Sequence, residues 1–245
     1  MESPQKNIGI ITQARTTSSR LPKKVLMKLN GVSVLEHHLK RLEWAQYPIF
    51  VATTINKTDD EIVSICEELK IPYYRGSEDD VLARFYECAK KFNLDVIVRV
   101  TSDCPLIDGE LIRSGIQKFL ESNENSYVSN CIERTFPRGF DFEVFSMKSL
   151  EAAFKNAHDK FEREHVTPYI RNPEKNKGIS LVNIKRSENA GEFRITLDEE
   201  DDLKLIKNLI EVQNMIDKKA DEIIYFLKSH REIAQINAHV EQKKI

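Results

Sequence analysis

The sequence predicts an α/β fold on a mostly parallel central sheet, and three observations carry that expectation. Strand-like and helix-like stretches alternate up to about residue 125, the rhythm of parallel strands joined by right-handed crossovers. Residues 95–101 read DVIVRVT, a β-branched run suited to a central strand. No Gly/Ser/Pro-rich linker divides the 245 residues and no internal repeat is present, so no separable second domain is expected.

Taken in order, residues 8–12 form a short apolar run that empties into a polar, cationic loop. Val34, Leu35, His38, Leu39 and Leu42 then recur at helical spacing, and residues 49–53 (IFVAT) are strand-like. Thr58-Asp59-Asp60-Glu61 has the form of a capping box, opening a helix that buries Ile62, Ile65, Cys66 and Leu69. Residues 72–74 suggest a short strand. Ser77 is placed to cap a helix carrying Val81, Leu82, Phe85, Cys88, Ala89 and Phe92. After the central strand, Asp108 starts a helix with Leu111, Ile112, Ile116 and Phe119 inward. In the second half, strand candidates at 126–129, 142–145, 179–184 and 193–197 alternate with helices near 147–157, 160–171 and 199–212. These complete the sheet and add an inserted hairpin or arm. Residues 1–228 thus read as one domain, and 229–245 as a polar tail, helical and peripheral.

At 40% hydrophobic and 31% charged, the chain can bury a core and stay soluble. Its 37 basic and 39 acidic residues leave a formal charge of -2, which argues against nucleic-acid binding over a broad basic face. Phosphate binding would have to come from a local cationic cluster. Cys66, Cys88, Cys104 and Cys131 are scattered without a CxxC pair, so reduced thiols fit better than a zinc site or disulfides. No run is apolar enough to span a bilayer and the N-terminus has no signal-like h-region, so a cytoplasmic protein with no membrane insertion is expected.

The first loop, Gln13-Ala14-Arg15-Thr16-Thr17-Ser18-Ser19-Arg20-Leu21-Pro22-Lys23-Lys24-Val25-Leu26, lies where ligands bind an open parallel sheet, beyond a strand's C-terminal end. It has neither GxGxxG nor GxxxxGK[ST], so phosphates would be held by guanidinium forks, an ammonium and loop N–H groups. A solvated basic turn is the plain alternative. Two aspartates follow at segment ends. Asp103 closes the central strand just before Cys104-Pro105, and Asp198 precedes the acidic run Glu199 to Asp202, where it could equally be a helix N-cap.

The order A-R-x-x-S-x-R-L-P-x-K-x-L from Ala14 to Leu26 resembles the opening signature of the CMP-sugar synthetases, the cytidylyltransferases that activate acidic sugars. The likeness extends to Gly76-Ser77-Glu78-Asp79-Asp80-Val81-Leu82-Ala83-Arg84, to Ser102-Asp103-Cys104-Pro105-Leu106 and to the R-x-T-x-D-x-x-x-D run from Arg194 to Asp202. Phe136-Pro137-Arg138-Gly139-Phe140-Asp141-Phe142-Glu143 and Arg163-Glu164-His165-Val166-Thr167-Pro168-Tyr169 bring it nearest to the spore-coat polysaccharide branch, beside the Kdo cytidylyltransferases.

The resemblance implies a three-layer α/β/α, Rossmann-like nucleotidyltransferase fold with a small inserted arm over about 126–192 for sugar binding and dimerisation. It implies transfer of CMP from CTP to the anomeric hydroxyl of an acidic, 2-keto-3-deoxy type sugar for surface polysaccharide, with Mg²⁺ as cofactor and a homodimer as the assembly. Arg15, Arg20 and Lys24 would meet the CTP phosphates. Asp103 and Asp198 would bind Mg²⁺, which favours hard oxygens and often takes only one or two carboxylates plus phosphates. The resemblance also places Ala14, Arg20, Ser77, Asp80, Arg84, Ser102, Arg138, Asp141 and His165 among the substrate-binding residues. Gly76 to Arg84 would be the base-and-ribose segment, and Arg138 would meet the sugar's carboxylate by its bidentate geometry. An i,i+4 surface pair for Asp80 and Arg84, and a packed His165, are the plain alternatives. Lys23 and Ser102 stand where the family often has glycine. Rival readings are a nucleotidyltransferase for another nucleotide or sugar, a glycosyltransferase on a similar fold, for which no DxD pattern is present, and a non-catalytic nucleotide-binding relative. A Cys104–His165 nucleophile pair is a minor alternative.

Overall fold

A computed structural model describes residues 6–241, so residues 242–245 of the expected tail and 1–5 of the expected domain lie outside the described residues. The strands are β1 (Ile8–Gln13), β2 (Lys28–Leu29), β3 (Val32–Ser33), β4 (Ile49–Thr54), β5 (Tyr73–Gly76), β6 (Val96–Thr101), β7 (Ser126–Ser129), β8 (Glu143–Ser146) and β9 (Ser180–Asn183). β2 and β3 pair as a small hairpin, and the others form one sheet in the order β5-β4-β1-β6-β8-β7-β9. β1 runs parallel to β4 and β6, β4 to β5, and β7 to β9, while β8 alone is antiparallel to both its neighbours.

The helices are α1 (Val34–Leu42), α2 (Asp60–Glu68), α3 (Val81–Lys91), α4 (Gly109–Glu121), α5 (Met147–Asn156), α6 (Lys160–His165), α7 (Glu200–Lys207), α8 (Ala220–Ser229) and α9 (Arg231–Ala234). Strand side chains alternate between two cores, as a period of two requires. Ile10, Val51, Val98 and Val144 face α1, α2 and α4. Ile11, Phe50, Ile97 and Phe145 face α3 and α5. Three layers result. A third cluster joins Phe136, Phe140, Phe193, Ile195 and Leu197 to α7 and α8, and seats Leu21, Leu29 and Leu106 beside them. Among the described residues no helix is long and apolar enough to cross a membrane.

Several local expectations are corrected. Residues 193–197 join no sheet. They run extended beside Arg138, with Arg138 N donating to Phe193 O and Ile195 N to Arg138 O. Gly139 has φ +109, and a Cβ there would meet the Ile195 backbone at 2.7 Å, so this close crossing needs glycine. The expected helix over 160–171 ends at His165, because Val166 turns to φ 69. α7 stops at Lys207 and continues as a π-helical turn, Asn208–Val212. Thr58-Asp59-Asp60-Glu61 makes no capping box: the Asp59 side chain turns inward instead. Asp80 rather than Ser77 caps α3.

Buried polar groups tie these layers together. Asp108 caps α4 through Glu110 N and Leu111 N, and its other oxygen accepts from Ala220 N at the start of α8. His38, fully buried on α1, donates Nδ1–H to the Cys104 carbonyl at 2.9 Å, so its Nε2 accepts from the Thr12 hydroxyl. Burial pushes this imidazole down to about 4, against the upward pull of that carbonyl and of Asp103. The folded ring is neutral, whereas the unfolded chain takes a proton near 6.5. Its contribution is therefore complete above pH 6.5 and is lost as pH falls toward 4, by roughly 3 kcal/mol. Urea unfolding at pH 7.5 and 4.5 should show this loss, and His38→Gln should flatten it. An unchanged slope in the variant would assign the pH dependence to other groups.

Candidate active site

β1 and β6 end side by side, and the chain leaving them opens a cleft of about 670 Å³. This is the carboxyl edge of the parallel strands, where an open α/β sheet binds ligands. Arginines dominate its charge: Arg15, Arg20, Arg84, Arg99, Arg134, Arg138 and Arg171 all line it.

Three separate segments meet at its floor. Lys24 Nζ lies 2.7 Å from Asp103 Oδ2 and 2.7 Å from Asp198 Oδ1. Arg20 approaches Asp198 Oδ2 at 3.2 Å and Arg194 approaches the same oxygen at 2.9 Å. Burial alone would raise the Asp103 carboxyl, but Lys24 overrides it and holds Asp103 at about 2. Burial likewise disfavours the Lys24 ammonium, and the two carboxylates reverse that, leaving it raised. Asp103 and Lys24 are therefore both ionised at neutral pH. Among the described residues no three His, Cys, Asp or Glu side chains gather as a metal cage.

The lysine assignment has a local cause. Lys23 adopts φ 56 and ψ 20, the left-handed conformation that glycine takes most easily, and its ammonium turns away to Glu61. That turn aims Lys24 at the aspartates. Ser102, in contrast, is not among the positive-φ residues, and its hydroxyl donates to Gln13 O at 2.8 Å, fastening the ends of β1 and β6.

Of the other expected site residues, Arg15, Arg20, Arg84, Arg138, Asp141 and His165 line the cleft with Asp103 and Asp198. Arg15 is held by Glu78 at 3.3 Å. Arg84 is 1% exposed, donates to the Ser77 and Glu78 carbonyls, and its Nε has no hydrogen-bond partner among the described residues. Asp141 is clamped bidentately by Arg134 at 2.6 and 2.8 Å. Arg138 has no ion-pair partner among the described residues, and burial and neighbouring Arg134 lower its affinity for a proton. Five expected residues do not line the wall: Lys24 sits behind Asp103 and Asp198, and four others lie further off. Ala14 is packed in the core, Ser102 ties two strands, Ser77 accepts from Asp80 N, and Asp80 pairs with Arg163 instead of Arg84. Asp198 is not the N-cap of α7; Glu199 takes that position and Asp202 accepts from the Asp198 and Glu199 N–H groups. Cys104 and His165 both line the cleft, but burial raises the thiol well above its ordinary value, and it points at Asp103 and Thr196.

Several residues that shape the site are given no binding role by any motif in the sequence. Asp59 is fully buried and accepts from Thr16 N at 2.8 Å, Thr16 Oγ1 at 2.6 Å and Thr54 Oγ1 at 2.5 Å, pinning the first loop to the end of β4. Glu143 accepts from Arg99, from Tyr127 at 2.5 Å and from Thr167 at 2.6 Å. Burial would raise its carboxyl, yet Arg99 and these hydroxyls keep it lowered. Arg99 had a visible signal, a charge inside the apolar strand DVIVRVT.

A family model described as "Cytidylyltransferase" matches residues 9–245. An uncharacterised protein of Methanocaldococcus jannaschii is 43% identical over 241 residues, covering 97% of each chain. The spore coat polysaccharide biosynthesis protein SpsF of Bacillus subtilis is 30% identical over 93% of this chain and 97% of its own. A solved cytidylyltransferase structure from Leptospira borgpetersenii superposes with a TM-score of 0.88 at 30% identity, covering 98% of this chain and all of the other. The likeness to a 3-deoxy-manno-octulosonate cytidylyltransferase of Solibacter usitatus is shorter, 34% over 46% of this chain and 44% of that one.

One consequence of the floor geometry is measurable without any ligand. Lys24→Met leaves Asp103 buried beside Asp198 with no ammonium between them, and should lower the unfolding free energy by about 3 kcal/mol at pH 7.5. In that variant the folded Asp103 carboxyl is raised, so the deficit should shrink as pH falls to 4.5 and the carboxyl takes a proton. Urea titrations at both pH values check this. An equal deficit at each would mean the loss is one of packing.

Proposed function

We propose, because the chain belongs to the cytidylyltransferase family, that it transfers CMP from CTP to the anomeric hydroxyl of an acidic, 2-keto-3-deoxy type sugar destined for a surface polysaccharide. The observation that carries this reading is the convergence of Asp103 and Asp198 on one cation at the floor of an arginine-lined cleft. Two carboxylate oxygens reaching a common point fit a Mg²⁺ ion, which favours hard oxygens and completes its shell with phosphates and water. Such an ion would neutralise phosphate charge and polarise the α-phosphate.

The chain's own groups do the rest. Arg15, Arg20 and Lys24 are each held by carboxylates, and a triphosphate would replace those partners with stronger, charge-assisted contacts. The anomeric oxygen bonds to the α-phosphorus, the bond from that phosphorus to the β-phosphate oxygen breaks, and pyrophosphate leaves with its charge on the same arginines. The hydroxyl proton passes to solvent. Because the migrating group carries its own charge, rate comes mainly from alignment and fixed charge. At the other end, Arg138 offers an uncommitted guanidinium to a carboxylate, whereas the Arg134 fork is already filled by Asp141. Asp103 at about 2 and a raised Lys24 keep this machinery ionised across neutral pH. The likeness to SpsF supports a polysaccharide role. The cofactor, a cytoplasmic location and a homodimer through the 126–192 region belong to the same proposal.

Pyrophosphate release measured with CTP, UTP, ATP and GTP against a panel of 2-keto-3-deoxy acids and neutral sugars tests it. CTP with a sugar acid should be the productive pair. Arg138→Gln should raise KM for the acid about tenfold or more, with little effect on KM for CTP. Equal turnover with a neutral sugar would remove the acidic-substrate assignment, and preference for another nucleotide would remove CTP.

A further inference from the structure

The end of the described chain returns to the floor of the cleft. After α9, the turn Gln235–Asn237 carries Asn237 into the protein, where it is 2% exposed. Its Nδ2 donates to Arg194 O at 3.0 Å and to Asp202 Oδ1 at 2.7 Å, so both amide hydrogens are used. Asp202 is itself fully buried. It accepts from Arg194 Nε at 2.8 Å and Nη2 at 3.0 Å, and from the backbone N–H of Asp198 and Glu199 at 3.0 and 3.1 Å. Arg194 Nη2 reaches on to Asp198 Oδ2 at 2.9 Å. An unbroken chain of hydrogen bonds therefore runs from Asn237 to both the backbone and the side chain of Asp198.

We propose that Asn237 is a positioning residue for CMP transfer, holding Asp202 and Arg194 so that the Asp198 carboxylate stays aimed at the cation position it shares with Asp103. The inference rests on the reading of Asp198 as a metal ligand. Asp202 offers only about four lone-pair directions, and five N–H groups compete for them. Oδ1 takes two of these donors and Oδ2 three, so without Asn237 only Arg194 Nε holds Oδ1, and the carboxylate can turn about its crowded Oδ2 and carry Arg194 with it. The side chain must be an amide. An aspartate at 237 would set a second buried negative charge 2.7 Å from Asp202 Oδ1, the separation now spanned by the amide. Groups that orient a metal ligand in this way typically change metal affinity by about 10–100-fold when removed.

The test uses the full chain, with Mn²⁺ as a paramagnetic stand-in for Mg²⁺ and CTP present without sugar. Free Mn²⁺ is followed by electron paramagnetic resonance, CTP affinity without metal by calorimetry, and folding by urea midpoint. Asn237→Ala should weaken Mn²⁺ binding about tenfold, and Asn237→Asp more, while metal-free CTP affinity stays within about twofold. Asn237→Gln, which keeps the amide, should recover part of the loss. Unchanged Mn²⁺ affinity in the alanine variant overturns the inference. So does a loss of CTP and Mn²⁺ affinity in equal proportion, which marks general disorder. Asp198→Asn is the control: if it binds Mn²⁺ as the parent does, the assignment of Asp198 fails and takes this inference with it. If Asp198→Asn loses Mn²⁺ and Asn237→Ala does not, only the role of Asn237 falls.

Discussion

A single ammonium, Lys24 Nζ placed 2.7 Å from carboxylates of both Asp103 and Asp198, closes this molecule's functional edge. It joins the loop after β1, the end of β6 and the segment leading into α7, which are separated by up to 174 positions in the chain. Taking three charges partly out of water costs several kcal/mol unless each finds opposite charge and hydrogen bonds. Here each does, since Arg20 and Arg194 also flank Asp198. Remove the ammonium and the two acids are left facing one another. The same arrangement presents two anionic oxygens to one point, which is why it can serve chemistry as well as structure.

Around that floor the fold divides tasks between residues that touch the cleft and residues that hold those in place. Asp59 pins the first loop, the Lys23 backbone sets the turn, Ser102 ties β1 to β6, and Asp202 fixes Arg194. On another part of the cleft wall, Glu143 gathers Arg99, Tyr127 and Thr167. Arg134 is spent on Asp141, which leaves Arg138 available. Charge in the cleft is thus sorted by pairing. Arg138 is one guanidinium left without an ion-pair partner among the described residues, as is Arg171 in the same cleft.

The strands β1, β4 and β6 were legible because short-range signals agreed, whereas Arg15, Arg20, Lys24, Asp103 and Asp198 were singled out together through the family resemblance, Asp198 by itself reading equally as a helix N-cap. Apolar runs ended in polar loops, and the loops carried ordered motifs. Where local signals competed with distant partners, the reading failed. Residues 193–197 look like a strand by composition, yet their backbone partners are Asp103 and the 138–139 crossing rather than a sheet. Thr58 to Glu61 has the form of a capping box, but Asp59 gains more from three buried donors in other segments. Asn237 lies in a stretch that reads as a polar tail, and only contacts spanning 35 and 43 positions give it a place. No periodicity encodes such contacts.

The joint role proposed for Asp103 and Asp198 is to hold the cation of CMP transfer. It is tested most directly by single-turnover pyrophosphate release at saturating CTP and Mg²⁺ for Asp103→Asn and Asp198→Asn, each checked for a cooperative unfolding transition well above the assay temperature. Asparagine keeps the size of the side chain but not the charge that a hard cation requires. Each variant should fold and lose turnover by a factor on the order of 10³ or more. Near-parental turnover in folded Asp198→Asn would contradict it, leaving Asp103 without its partner.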